Sequence, residues 1–154
     1  MDNPHLTARL SEGKQPLRII LDRHRKVPPT HNIFDPEGAS WLINEELELL
    51  QGNVHFIKLA FDDSFFSQIM DRLYAAKILS VIIEGGAALL NSFIEKGLWD
   101  EARVFTGTNS LDAGIAAPIL NNIAPSFSSA IETDTLNVYV NKASAYQYVS
   151  GMEL

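Results

Sequence analysis

Glu84-Gly85-Gly86 lies between the apolar run Leu79-Ser80-Val81-Ile82-Ile83 and a stretch of helical pattern from Ala87 to Lys96. Two glycines let a backbone turn sharply and approach a ligand with no Cβ in the way. The first N–H groups of a helix starting at Ala87 have no acceptor within the helix and can meet an anion. A pyrophosphate is a natural occupant. A merely compact connection would use the same two glycines, so the segment suggests phosphate binding without specifying it. Glu84 at the strand end can accept hydrogen bonds from sugar hydroxyls but would repel a phosphate placed on it. Any phosphate therefore belongs further along, over Gly86 and Ala87. A solvated acid at a strand end is the plainer alternative.

The second chemical concentration is Asp22-Arg23-His24-Arg25-Lys26, directly after the apolar run Leu17 to Leu21. A guanidinium matches phosphate geometry and stays charged, so Arg23 could pair with a phosphate, and a solvated basic loop would look the same. His24 has no nucleophile beside it in sequence, so a hydrolytic triad is not supported. The four histidines, His5, His24, His31 and His55, include no i, i+4 pair, and there is no cysteine. Metal catalysis is not expected, and a cysteine-free chain fits a reducing cytoplasm.

A net charge of -7 argues against general nucleic-acid binding, which needs a concentrated basic surface. A small anionic ligand remains compatible, because a few local cations and N–H groups suffice. Hydrophobic residues at 46% and charged residues at 20% fit a globular chain. No apolar run nears the roughly 20 residues of a membrane helix, and the first residues carry no signal-peptide pattern. No membrane partner is expected, and the expected location is the cytoplasm.

The elements that must hold these residues follow from local pattern. Leu17 to Leu21, Ser40 to Ile43, Val54 to Leu59, Leu79 to Ile83 and Ala102 to Thr106 read as strands. Asn44 to Leu50 suits a short helical turn. Asp62-Asp63-Ser64 supplies N-cap chemistry for an amphipathic helix through Lys77. A second helix runs from Ala87 to Lys96 and stops at Gly97. Gly107 to Pro125 reads as a long loop. Phe127 to Glu132 and Leu136 to Val140 flank Thr133-Asp134-Thr135 as a hairpin. The tail from Lys142 is open between a final strand and none. The expectation is an α/β fold with a mostly parallel sheet, flanking helices and a C-terminal antiparallel hairpin. Ligands on such sheets bind beyond the carboxyl ends of the strands, which points to Asp22–Lys26, Glu84–Ala87 and the loop after Thr106.

Three ordered motifs carry a resemblance. Asp2-Asn3-Pro4-His5-Leu6-Thr7-Ala8-Arg9 resembles the pattern D-[DN]-P-x-L-T-x-R, and Leu17 to Asp22 is similar to the strand that follows it. Ile82 to Phe93 with Gly97-Leu98-Trp99-Asp100-Glu101 resembles V-E-G-G-x-x-L-x-x-S-F…G-L-x-D-E. Together they resemble the reductase domain of the bifunctional riboflavin-biosynthesis deaminase–reductase, which has a dihydrofolate-reductase-like fold. Beyond Glu101 the likeness is looser. The resemblance implies that NADPH gives hydride to the sugar carbon of 5-amino-6-(5-phosphoribosylamino)uracil, forming the ribitylamino product.

By matching positions, the resemblance implies that Leu6 and Arg9 contact this phosphorylated pyrimidine, Arg9 at its 5-phosphate, and that Glu84 holds ribose hydroxyls. Asp2 and the turn and helix of Gly86, Ala87, Ala88, Leu89, Leu90, Asn91 and Ser92 would bind NADPH. Arg23 falls near the adenosine 2′-phosphate, where many members have Ser. No general acid is assigned. Such domains begin with a strand ending near S-L-D-G, a helix and a second strand, all before the Asp-Asn-Pro loop. An upstream deaminase domain in the family carries cysteines. The expectation is therefore a partial reductase domain over 1–154, impaired in activity and assembling as a homodimer or higher oligomer. Two alternatives stand beside it: a non-catalytic oligomerisation fragment, and a related pteridine or folate reductase.

Overall fold

The structure, a computed structural model, describes residues 3–8, 13–110 and 113–149. It divides into two compact units, Met1–Ser80 and Val81–Leu154. Among the described residues no helix is long and apolar enough to cross a membrane.

The first unit is a four-stranded sheet in the order β1-β2-β4-β3. β1 (Arg18–Leu21), β2 (Ser40–Asn44) and β4 (Val54–Lys58) run parallel, and β3 (Leu49–Gln51) closes the edge antiparallel to β4. Successive strand residues point to opposite faces. Ile43 and Ile57 therefore face one side, where Leu59 and the α1 (Phe65–Ala75) residues Phe65, Ile69 and Leu73 cover them. Leu42, Val54 and Phe56 face the other side and pack with Ile33 of the short 3-10 turn Asn32–Phe34. A sheet covered on both faces needs runs that are apolar throughout, as β2 and β4 are.

Arg18 is the one charged residue of β1. Its side chain is buried and donates to the carbonyls of Asn32 (2.9 Å), Asp35 (2.7 Å) and Gly38 (2.6 Å). It braces the crossover between β1 and β2.

The second unit holds α2 (Ala87–Glu95) and a three-stranded sheet in the order β5-β7-β6, antiparallel throughout. β5 is Glu101–Thr106, β6 Phe127–Ile131 and β7 Asp134–Val140. The expected hairpin forms, with its turn at Glu132-Thr133, one residue earlier than the sequence suggests, and Glu132 at φ 52°. The expected parallel order is thus confined to the first unit. The described residues between Thr106 and Phe127 hold no helix or strand, as expected for a loop. The described part of the tail, to residue 149, is no strand either. Asn141 Nδ2 donates to Trp99 O at 2.8 Å, and the Tyr146 hydroxyl donates to Glu101 Oε2 at 2.8 Å.

Two expectations need correction. Leu79 to Ile83 forms no strand. Its residues have no ladder partner among the described residues, and Leu79 and Ile82 are 99% and 86% exposed. An extended run becomes a strand only when a neighbour takes its N–H and C=O groups. Asn44 to Leu50 is not helical. Leu49–Gln51 turns back on β4 through Gly52-Asn53, with Gly52 at φ 60°, a conformation glycine adopts without strain.

Candidate functional site

At the carboxyl ends of β1, β2 and β4 the first unit opens a groove of about 830 Å³. Arg23, Glu45, Lys58, Phe61, Asp62 and Gln68 are among its lining residues. Chain-internal hydrogen bonds fix the loops that carry them. The buried Asp22 carboxylate accepts the N–H groups of Lys26 (2.8 Å) and Val27 (2.9 Å), which ties down the loop after β1. Asn44, fully buried at the end of β2, does the same for Glu45. Its Oδ1 accepts from Glu46 N (2.9 Å) and Leu47 N (2.6 Å), while its Nδ2 donates to Leu47 O (3.0 Å). An asparagine with both ends of its amide satisfied avoids the penalty of burying unpaired polar groups.

Arg23 Nε donates to Glu45 Oε2 at 2.7 Å, and its guanidinium lies 5.6 Å from the centre of the Phe61 ring. His24 Nδ1 stands 3.0 Å from the other carboxylate oxygen of Glu45. Phe61 is itself stacked on Phe65 at 4.7 Å. At the groove's far rim the Ser64 hydroxyl and backbone N–H donate to Asp62 (2.5 and 2.8 Å) and hold its carboxyl below the usual range. The position of Arg23 just beyond a strand was legible in the sequence. Glu45 was not. An acid following a strand carries no signal until strand register places it against a cation.

Of the Asp2–Arg9 loop, Asp2 and Arg9 lie outside the described residues. The part between them is held at both ends, although its polar, pattern-free sequence suits a disordered terminus. Asn3 Oδ1 accepts from Asn32 N (2.8 Å) and Asn3 O from Asn32 Nδ2 (2.7 Å). Ala8 exchanges two hydrogen bonds with the Gln15 side chain. Leu6, half-buried between these anchors, sits at φ 51°. A leucine there costs about 1–2 kcal/mol, so its surroundings must impose it.

In the second unit Gly85, at φ 148°, turns the chain ahead of Gly86, which caps α2 with extended backbone. Leu89 N and Leu90 N both donate to Gly86 O (3.1 and 3.3 Å). The N–H groups of Ala87 and Ala88 precede them and have no acceptor among the described residues. Ser92 turns its hydroxyl back to Ala88 O at 2.9 Å. Space around Gly86 is open, and Glu84 is exposed without a hydrogen bond or ion pair among the described residues. The turn can therefore receive an anion on two backbone donors.

Residues 1–114 match the RibD C-terminal domain family. The riboflavin biosynthesis protein RibD of Bacillus amyloliquefaciens is 32% identical over 128 residues, covering 77% of this chain and 34% of that protein. A protein of Aquifex aeolicus named 2,5-diamino-6-ribosylamino-4(3H)-pyrimidinone 5′-phosphate reductase is 31% identical over 111 residues, covering 67% of this chain and 50% of that one. This chain thus spans between a third and a half of these relatives. Among solved structures, the deaminase/5-amino-6-(5-phosphoribosylamino)uracil reductase of Thermotoga maritima is similar with a TM-score of 0.72 and 25% identity. That likeness covers 91% of this chain and 42% of the other. The α/β fold is of the expected dihydrofolate-reductase-like kind.

Proposed function

The chain belongs to the RibD C-terminal domain family, and from that premise we propose that it reduces the ribosyl group of 5-amino-6-(5-phosphoribosylamino)uracil with NADPH. The observation that carries the reading is the extent of the family match, 1–114, which contains each chemistry-bearing segment named above. The names of the relatives support a pyrimidine ribosyl phosphate as substrate and a reduction as the reaction.

The turn at Gly86 fits the pyrophosphate of a nicotinamide dinucleotide. Two unpaired N–H groups at Ala87 and Ala88 suit its pyrophosphate, and the α2 dipole adds to their pull. Arg23 is placed near the adenosine 2′ position, and Asp2 among the cofactor residues, by their match to the family motif. Leu89, Leu90, Asn91 and Ser92 extend the helix that holds the donors in place. When bound, the cofactor supplies the hydride. Leu6 and Arg9 position the substrate, with Arg9 on its 5-phosphate. Glu84 accepts hydrogen bonds from its ribose hydroxyls. The chain's contribution is orientation and charge balance, and no side chain is assigned as proton donor.

Ala87→Pro tests the pyrophosphate donors. Proline at the first helical position removes one N–H and leaves the helix intact, and the extended Gly86 accommodates it. Calorimetric titration with NADPH should show roughly tenfold weaker binding, the loss of one charge-assisted hydrogen bond. Unchanged affinity with retained helix content would remove α2 from the cofactor site.

The exposed Leu79 and Ile82 favour a second reading, assembly with further copies of the chain through this apolar segment. Light scattering should then report a homo-oligomer that Ile82→Lys converts to monomer. A monomer at every concentration, or an oligomer indifferent to Ile82→Lys, excludes that segment as the contact.

A further inference from the structure

Strand register brings Arg23 and Glu45 together. β1 and β2 run parallel with Leu21 opposite Ile43. The ladder continues past the strands, with Asp22 N donating to Ile43 O (2.9 Å) and Glu45 N to Arg23 O (3.1 Å). Side chains two residues beyond Leu21 and Ile43 therefore stand side by side on one face. Buried Asp22 and Asn44 fix the two loops, so backbone hydrogen bonds bring the pair together before its own attraction acts.

That pairing changes what the groove can hold. Both oxygens of Glu45 are engaged, one by Arg23 and one by His24. The charged groups on the groove's wall are Arg23 and Lys58 against Glu45, Glu46 and Asp62, an excess of one negative charge. A phosphate dianion placed at Arg23 meets a guanidinium whose charge is already met by a carboxylate 2.7 Å away. A sugar hydroxyl meets a carboxylate with lone pairs to spare, the usual acceptor for a ribose 2′-hydroxyl.

We propose that Glu45 sets the groove's choice between an adenosine ribose bearing a 2′-phosphate and one with a free 2′-hydroxyl, by holding Arg23 and cancelling its charge. This rests on the placement of Arg23 at the adenosine 2′ position. Glu45 is a specificity residue: with it in place NADPH and NADH are poorly distinguished, and without its charge the phosphate is preferred. Arg23 and Glu45 are half-exposed, so water and salt soften the effect to a modest factor.

The test is calorimetric titration of the full chain with 5′-AMP and with adenosine 2′,5′-bisphosphate at low salt. The wild type should bind the two with affinities within about threefold. Glu45→Gln keeps the shape and removes the charge, and should raise the preference for the bisphosphate about tenfold. Arg23→Gln should return it to near unity. Both substitutions are at solvent-accessible positions and leave the core untouched. If both nucleotides bind and Glu45→Gln leaves their ratio unchanged or lowers it, the role of Glu45 is overturned while the groove remains an adenosine site. If neither nucleotide binds the wild type or Glu45→Gln, the placement of Arg23 is overturned and the role of Glu45 with it.

Discussion

The two units reach stability by different routes. Met1–Ser80 buries apolar side chains on both faces of a parallel sheet, in one cluster built on Ile43, Ile57, Ile69 and Leu73 and another on Leu42, Val54 and Phe56. Val81–Leu154 buries only Phe93, Leu136 and Val138 among its described apolar residues, and leaves Phe105 and Val104 of β5 61% and 37% exposed. The first unit carries the groove on loops braced by buried Asp22 and Asn44. The second carries the Gly85-Gly86 turn on a helix with one buried side chain. Rigid placement of a charged pair and open presentation of backbone donors therefore coexist in one chain. Local packing, more than secondary structure, separates them.

Core truncation sharpens this contrast most. Ile43 is 0% exposed and lies in a sheet packed on both faces, so Ile43→Ala should cost about 3–4 kcal/mol. Leu136 is equally buried, but its sheet is thinly covered and can close around the gap, so Leu136→Ala should cost about 2 kcal/mol. Hydrogen exchange read strand by strand gives the separation. Ile43→Ala should speed exchange in β1, β2 and β4, and Leu136→Ala in β5, β6 and β7. Equal acceleration of all six strands by either variant would mean that the units unfold as one, and the comparison would fail.

Legibility follows the same division. β1, β2 and β4 were readable because a strand covered on both faces must be apolar throughout, and Leu42-Ile43 and Phe56-Ile57 are. The helices were readable from spacing and from Gly97 beyond α2. β3 was missed although Gly52-Asn53 between Leu49–Gln51 and Val54 is a recognised two-residue hairpin signal. Leu79 to Ile83 misled for the opposite reason. Apolar, β-branched composition states what a segment prefers and says nothing about whether a neighbouring strand is there to pair with it. The burial of Arg18 was not legible, because no local pattern reveals that three carbonyls will enclose it. The placement of Asp22 and Arg23 at the end of β1 could be read from the sequence, whereas Glu84 follows no strand. Glu45 could not be read from it, because its role depends on the pairing of β1 with β2. Neighbours in sequence are legible; neighbours in register require the fold.

The smallest expected effects set the two units on opposite sides of the pH scale. In the first, hydrogen bonds from the Ser64 hydroxyl and N–H hold the Asp62 carboxyl below its ordinary 3.8. A carboxyl lowered by folding contributes stability that is present above that ordinary value and lost as pH falls through the lower, folded one. In the second, the Tyr146 hydroxyl donates to Glu101, which holds the phenol above its ordinary 10.0. A phenol raised by folding contributes stability that is complete below that value and lost as pH rises through the higher, folded one. Ser64→Ala should therefore flatten only the acid limb of the melting-temperature profile, and Tyr146→Phe only the alkaline limb. Both groups are solvent-exposed, so each change should be slight beside that of Ile43→Ala. An alkaline limb that survives Tyr146→Phe unchanged would show that the contact with Glu101 does not tie the tail to β5, and that the stability of the second unit rests on its buried Phe93, Leu136 and Val138.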